Sequence, residues 1–194
     1  MGIFKAYDIR GVYGEELTPE LGRRIGNAMA RLLGAKRLVV GQDMRTHSPE
    51  LAAAVSEGMR DAGCDVLRLG LSSTPMTYYA IGSLECDGGL IVTASHNPGE
   101  YNGMKLCRAG AVPISGDTGI ADIERMCAEP APEPVAQRGT EEQVDLLEDY
   151  ADHVCGFARF HEDVVLAIDA GIGMAGHTLP SILARLPQIR PTRS

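Results

Sequence analysis

Serine, histidine and asparagine stand side by side in Thr93-Ala94-Ser95-His96-Asn97-Pro98-Gly99-Glu100-Tyr101-Asn102-Gly103-Met104-Lys105, directly after the apolar run Gly88 to Val92. That run reads as a buried strand, and ligands of open α/β sheets bind just beyond the carboxyl ends of strands. A serine hydroxyl is a weak nucleophile and needs a neighbouring base or a site that stabilises charge on its partner. Phosphoryl transfer relies on positioning and on cations around the phosphate oxygens. Ser95 flanked by His96 and Asn97, with Lys105 where the next strand begins, suits that chemistry. The segment lacks the GxSxG elbow of an α/β-hydrolase. Polar residues in a Gly/Pro loop are also what an ordinary turn contains, and taken bare the turn is the commoner outcome.

Two further clusters carry cations. In Lys5-Ala6-Tyr7-Asp8-Ile9-Arg10-Gly11 the planar fork of Arg10 suits phosphate, although alone it reads as a solvated arginine beside a turn glycine. Gly41-Gln42-Asp43-Met44-Arg45-Thr46-His47-Ser48-Pro49 follows a strand and enters a helix, whose N-terminus is an anion site. Ser48-Pro49 explains itself there as a cap, and Arg45 is balanced between a structural ion pair and a role near the site. The GxGxxG-like run from Gly171 to Gly176 follows a strand, but no acid stands about 20 residues on, as a dinucleotide fingerprint requires; a tight strand-to-helix turn is the better reading. There is no HExxH, no Cys/His metal spacing and no Walker A lysine. His47, His153, His161 and His177 are scattered and read as surface or locally bonded.

The elements that must position these residues alternate between strand and helix. Thr18-Pro19 begins a helix to residue 33, with Leu21, Ile25, Met29, Leu32 and Leu33 at helical spacing and Gly34 to end it. A strand at 37–41, a helix from Ser48 closed by Gly63, and a strand at 65–69 follow. Thr74-Pro75 opens a third helix to about residue 83, then come strands at 88–93 and 103–107 and a helix at 117–128. Residues 128–138 read as a connector, and 141–159 as an amphipathic helix. A strand at 164–169 and a helix from Thr178 start another βα unit. Strands separated by helices imply an α/β sheet covered on both faces: a three-layer αβα first domain with a mixed sheet over residues 1–155, and the incomplete start of a similar domain over 156–194.

The net charge of −8 argues against sequence-independent binding to nucleic acid or anionic lipid, which needs a basic surface. A local group of cations can still serve a phosphorylated substrate. The five cysteines are odd in number and widely spaced, so the expectation is reduced thiols in a cytoplasmic protein. No signal peptide and no membrane-spanning run is expected.

KAYDIRG, VGQDMRTHSPEL and TASHNPGEYNGMKL, in this order and followed by GAVPISGDTG, resemble the α-D-phosphohexomutase family, and KAYDIRG points to its phosphomannomutase/phosphoglucomutase branch. The resemblance is specific from Ile3 to about Gly119 and looser beyond. It implies that Ser95 carries a phosphate, gives it to a hexose 1-phosphate to form a bisphosphorylated sugar, and takes back the other phosphate. The net reaction moves phosphate between O1 and O6 of mannose or glucose. It also implies Mg²⁺, bound partly by phosphorylated Ser95, with His96 beside the transfer centre, Lys105 in proton transfer or charge stabilisation, Arg10 on the phosphate and Tyr7 in the same pocket. A dianionic phosphoserine needs compensating cations, which Arg10, Lys105 and Mg²⁺ supply in that scheme.

The sequence departs from the family in length. Members have four domains, and the DGDGD-type metal loop, the sugar-selecting loop and the loop gripping the second phosphate have no counterpart here. Ile172 stands where the family has a polar residue. The expectation is a truncated, inactive part of a whole enzyme whose remaining domains are its partner. The alternatives are a natural truncated domain that binds a phosphosugar or a protein without catalysis, and a serine hydrolase using Ser95 and His96.

Overall fold

The computed structural model describes residues 2–193, which form two compact units dividing between Val144 and Asp145. In the first unit the element order is β1 (Ile9–Val12), α1 (Pro19–Leu33), β2 (Arg37–Gln42), α2 (Ser48–Asp61), β3 (Asp65–Leu71), α3 (Thr74–Ser83), β4 (Gly88–Val92), β5 (Tyr101–Arg108), β6 (Val112–Pro113), α4 (Ile120–Ala128) and β7 (Glu141–Gln143). The main sheet runs β1-β5-β4-β2-β3-β7, with β6 paired to β5. Pairs β4·β2, β2·β3 and β3·β7 are parallel, whereas β5 runs antiparallel to both β4 and β1. The sheet is mixed, as expected.

Side chains that alternate along a strand serve opposite faces. Leu38, Val40, Leu90, Val92, Met104 and Leu106 join Ile25 and Met29 of α1, Leu51, Val55 and Met59 of α2, and Ile120 and Ile123 of α4 in one buried cluster. Full burial of a side chain such as Met29 contributes about 1.5–3 kcal/mol. Val39 and Ile91 are buried on the opposite side, where α3 packs on β2 and β4. The αβα layering follows from that alternation.

The helix signals hold at α1, where the Thr18 side chain accepts from Leu21 N–H and Gly34 closes the helix at φ 57°. At α3 the cap is Ser73 rather than Thr74, one residue earlier. At α2 the cap position falls to His47 with no side-chain cap bond, and Ser48 is spent elsewhere, as described below. The segment 117–128 splits into a 3₁₀ turn at 116–118 and α4.

The second unit holds α5 (Leu147–Cys155), β8 (Val164–Ile168), α6 (Ala175–Ala184) and β9 (Ile189–Arg193). The single helix expected over 141–159 is therefore corrected. Residues 141–143 are a strand, because their backbone pairs with β3 of the first unit's sheet, and the helix begins only at Leu147. Helix α5 packs on α6, and Arg185 bridges Glu148 and Asp152 of α5. Helix α6 starts three residues before Thr178. Strands β8 and β9 pair in parallel, with Val165 69% exposed. The glycine-rich run after β8 is a tight turn: Gly171 has φ 52°, its N–H donates to Asp169 Oδ1 at 2.8 Å, and Ile172 is exposed. Among the described residues no helix is long and apolar enough to cross a membrane.

Candidate active site

Strand β4 ends at Val92, and the chain leaves the sheet through Thr93 and Ala94, both buried, to reach exposed Ser95. Ser95 adopts φ 55°, a left-handed conformation uncommon outside glycine. Its N–H is held by Thr93 Oγ1 at 3.0 Å. The Asn97 N–H and its side-chain amide both donate to Ala94 O, which tightens the turn. The result is a hydroxyl standing clear of the sheet's end. His96 Nδ1 lies 3.3 Å from Ser95 Oγ, so adjacent positions in this loop do bring an imidazole to a hydroxyl. Among the described residues no carboxylate bonds His96, so a Ser-His-acid relay is not assembled.

The loop is gripped from behind by the β2–α2 connection. Arg45 Nη1 donates to Pro98 O at 2.7 Å and Tyr101 O at 3.0 Å. Its Nη2 donates to Ser95 O at 3.0 Å and Asn97 O at 2.7 Å. Its Nε lies 3.4 Å from Asp43 Oδ2, an ion pair longer than a good hydrogen bond. The Arg45 side chain is 11% exposed. The balance between an ion pair and a role at the site thus resolves into both: Asp43 aims the guanidinium, and four loop carbonyls receive it.

His47 adds a fifth carbonyl, meeting Gly99 O through Nε2 at 3.0 Å. Asn102 Nδ2 donates to His47 Nδ1 at 2.8 Å, which assigns the imidazole proton to Nε2. The same Nδ2 reaches Ser48 Oγ at 2.9 Å, and Ser48 Oγ donates to Asp43 Oδ1 at 2.6 Å. This network claims the hydroxyl that the sequence offered as a helix cap. Tyr13 stacks on His47 with ring centroids 4.4 Å apart. A hydrogen bond to Glu50, with some burial and the charge of that carboxylate, raises the Tyr13 phenol above its ordinary pKa.

The cations form a second group, on the strands beside the loop. In register, Arg10 of β1 faces Gly103 of β5, and Lys105 is two residues further along β5, so both side chains lie on one face of the sheet. Buried Asp8 joins them: it pairs with the Arg10 guanidinium, and Lys105 Nζ lies 3.8 Å from its Oδ2. Gly103 lets β1 close on β5, since a Cβ there would sit 2.3 Å from Ile9 O. Ser95 with His96 thus follows β4, while Arg10 and Lys105 stand on β1 and β5, the strands next in order beside β4 in the same sheet. Tyr7 is 77% exposed and makes no hydrogen bond to either pair. Sequence reasoning passed over Asp8, Asp43, Ser48 and Asn102 as functional residues. The signal for Asn102 was an amide at the mouth of a strand, a poor place for one unless it is bonded.

Chemically, the arrangement offers an exposed hydroxyl on a loop held by hydrogen bonds, an imidazole at its oxygen, and two cations on neighbouring strands. Among the described residues no group of three or more His, Cys, Asp or Glu could hold a metal ion. Mg²⁺ commonly needs carboxylates besides phosphate, so the donors here do not fit a Mg²⁺ site by themselves.

Similarities to known proteins bear on the family of the chain. Residues 1–132 match the model of phosphoglucomutase/phosphomannomutase, alpha/beta/alpha domain I. A phosphomannomutase of Escherichia coli is 48% identical over 187 residues, 94% of this chain and 41% of that protein. One from Klebsiella pneumoniae is 52% identical over 151 residues, 77% of this chain and 96% of that one. The crystal structure of a phosphoglucomutase/phosphomannomutase family protein from Burkholderia thailandensis superposes with a TM-score of 0.88 at 33% identity, over 99% of this chain and 43% of that one. The chain spans about two fifths of the length of the first of these relatives. With a matching domain model over most of its length, a matching fold and the serine loop in place, the chain belongs to the phosphoglucomutase/phosphomannomutase family.

Proposed function

We propose that this chain supplies the phosphate-carrying serine of a phosphohexomutase that moves phosphate between O1 and O6 of mannose or glucose. The carrying observation is Ser95 itself: exposed, in a left-handed conformation, at a strand's carboxyl end, on a loop whose carbonyls are taken by Arg45. In the forward step the oxygen of a sugar hydroxyl attacks the phosphorus of phosphoserine and gives up its proton, the P–Oγ bond breaks, and one proton is taken up at Oγ, so none is gained or lost overall. In this reading His96 holds and returns that proton, supported by its 3.3 Å distance from Oγ. Arg10 and Lys105 offset charge on the transferring group, exchanging part of their contact with Asp8 for phosphate oxygens. The second step is the reverse, from the other oxygen of the bisphosphorylated sugar. Tyr7 lies within the same motif as Arg10, and its exposure leaves it free to meet the sugar.

The Mg²⁺ implied by the family needs carboxylates that these residues do not bring to Ser95, and no step above is routed through it. Turnover by the isolated chain is accordingly expected to be weak or nil, and its natural partners are the other segments of such an enzyme. The test is phosphopeptide mapping of the protein purified from its native cells. A single phosphate on Ser95 is expected. Phosphate on another residue, with the Ser95 peptide wholly unmodified, would refute the reading.

A further inference from the structure

We infer that Arg45 is the positioning residue of the serine loop, and that its grip turns the amide N–H groups of His96, Gly99 and Glu100 into a rim that receives phosphate oxygens. The inference rests on the reading of Ser95 as phosphate carrier and extends it to residues outside the serine, histidine and cation set.

The argument starts from peptide geometry. A trans peptide is planar, and its C=O and the following N–H point in opposite directions. Arg45 holds Ser95 O and Pro98 O, so the N–H groups of His96 and Gly99 face away from the guanidinium. His47 holds Gly99 O, so the N–H of Glu100 faces away as well. Arg45 also holds Asn97 O, but the next residue is Pro98 and has no N–H. Among the described residues these three amides have no acceptor, whereas those of Ser95, Asn97 and Tyr101 are bonded within the segment. Unpaired amides turned away from the groups behind a turn are what anion-binding concavities are made of, and the first of them, the His96 N–H, directly follows Ser95, the residue that would bear the phosphate. The buried charge of Arg45 stands behind them and reinforces the carbonyl polarisation. Lysine would keep the charge but lacks the planar fork that reaches four acceptors.

The experiment uses the full chain with Arg45→Lys and Arg45→Ala, and melting temperatures check that each variant folds. In the first arm each protein is incubated with a hexose 1,6-bisphosphate and Ser95 phosphate is followed by intact mass. The variants should load about a hundredfold more slowly than the unaltered chain, and added guanidinium ion should restore much of the rate to Arg45→Ala, a response that a merely structural residue would not give. Equal loading of Arg45→Lys and the unaltered chain would overturn the positioning role alone. No loading of the unaltered chain would match the weak turnover expected of it, leave the phosphate-carrier reading to the mapping of native protein, and leave the second arm to decide the role of Arg45. In the second arm inorganic phosphate is titrated against ¹⁵N-labelled protein. The His96, Gly99 and Glu100 amides should shift in the unaltered chain and stay still in Arg45→Lys; still amides in the unaltered chain would overturn the rim whatever the first arm gave.

Discussion

Asn102→Ala is the sharpest perturbation of the scaffold that holds the loop. Asn102 is fully buried and makes three bonds: to His47 Nδ1, to Ser48 Oγ, and from Gly103 N–H to its Oδ1 at 2.8 Å. A neutral hydrogen bond contributes about 1 kcal/mol net, so removing all three costs about 3 kcal/mol. The Gly103 N–H is left without its acceptor inside the sheet, which is why the figure should not fall far short. For a domain of this size about 3 °C of melting temperature goes with each kcal/mol, giving a drop of roughly 10 °C. Because the chain has two compact units, the assay should report on the first one: hydrogen exchange across β4 and β5 in increasing urea, read by mass spectrometry. Exchange in the Ser95 loop should also quicken under native conditions, since His47 loses the partner that fixes its tautomer. A loss under about 1 kcal/mol, with loop exchange unchanged, would refute the claim that this network holds the loop.

Three other outcomes follow from the same structure. Gly103→Ala places a methyl 2.3 Å from Ile9 O and should destabilise by about 3 kcal/mol, with β1 the first element to exchange; unchanged stability in urea would show that the strands part without cost. Burial pushes the thiol of Cys64 up to about 12 and that of Cys127 up to about 11, and raises Cys86 and Cys107 as well, so iodoacetamide on the native chain should mark half-buried Cys155 first and the others only in urea, as peptide mapping will show. Asp87 accepts the N–H groups of Arg37 and Lys36, which hold its carboxyl below the usual range. A depressed folded pKa gives stability that is present above the unfolded value and lost as pH falls through the folded one, so Asp87→Ala should lower the melting temperature at neutral pH and match the unaltered chain in strong acid.

Much of the architecture was legible because local chemistry and tertiary packing agree. Thr18-Pro19 with Ile25 and Met29 specifies α1 whatever it packs on, and the apolar run from Gly88 to Val92 can only be a buried strand. Strand β7 was not legible: Glu141, Glu142 and Gln143 have neither apolar alternation nor β-branching, and they are a strand only because β3 offers an open edge. Strand β1 was hidden for another reason. Ile9 to Val12 lies inside a segment that reads as a phosphate motif, and its partner is some ninety residues away. At the candidate site, Ser95, His96, Arg10 and Lys105 were singled out by the family resemblance of their motifs, because by type alone the loop reads as a turn and Arg10 as a solvated arginine. Arg45 stayed balanced because an arginine's partners here are backbone carbonyls, which leave no trace in a sequence. Ser48 misled for a related reason: a hydroxyl before proline is a good cap, yet a buried carboxylate and a buried amide made a better claim on it.

The grip of Arg45 and His47 on the serine loop has a consequence for how the chain comes to be folded. The bonds join residues 50 to 56 positions apart, and closing a loop of that span costs conformational entropy that the elements between must offset. That intervening chain is α2, β3, α3 and β4. The left-handed turn at Ser95 is therefore tied to the integrity of those four elements, and its hydrogen exchange is expected to follow theirs.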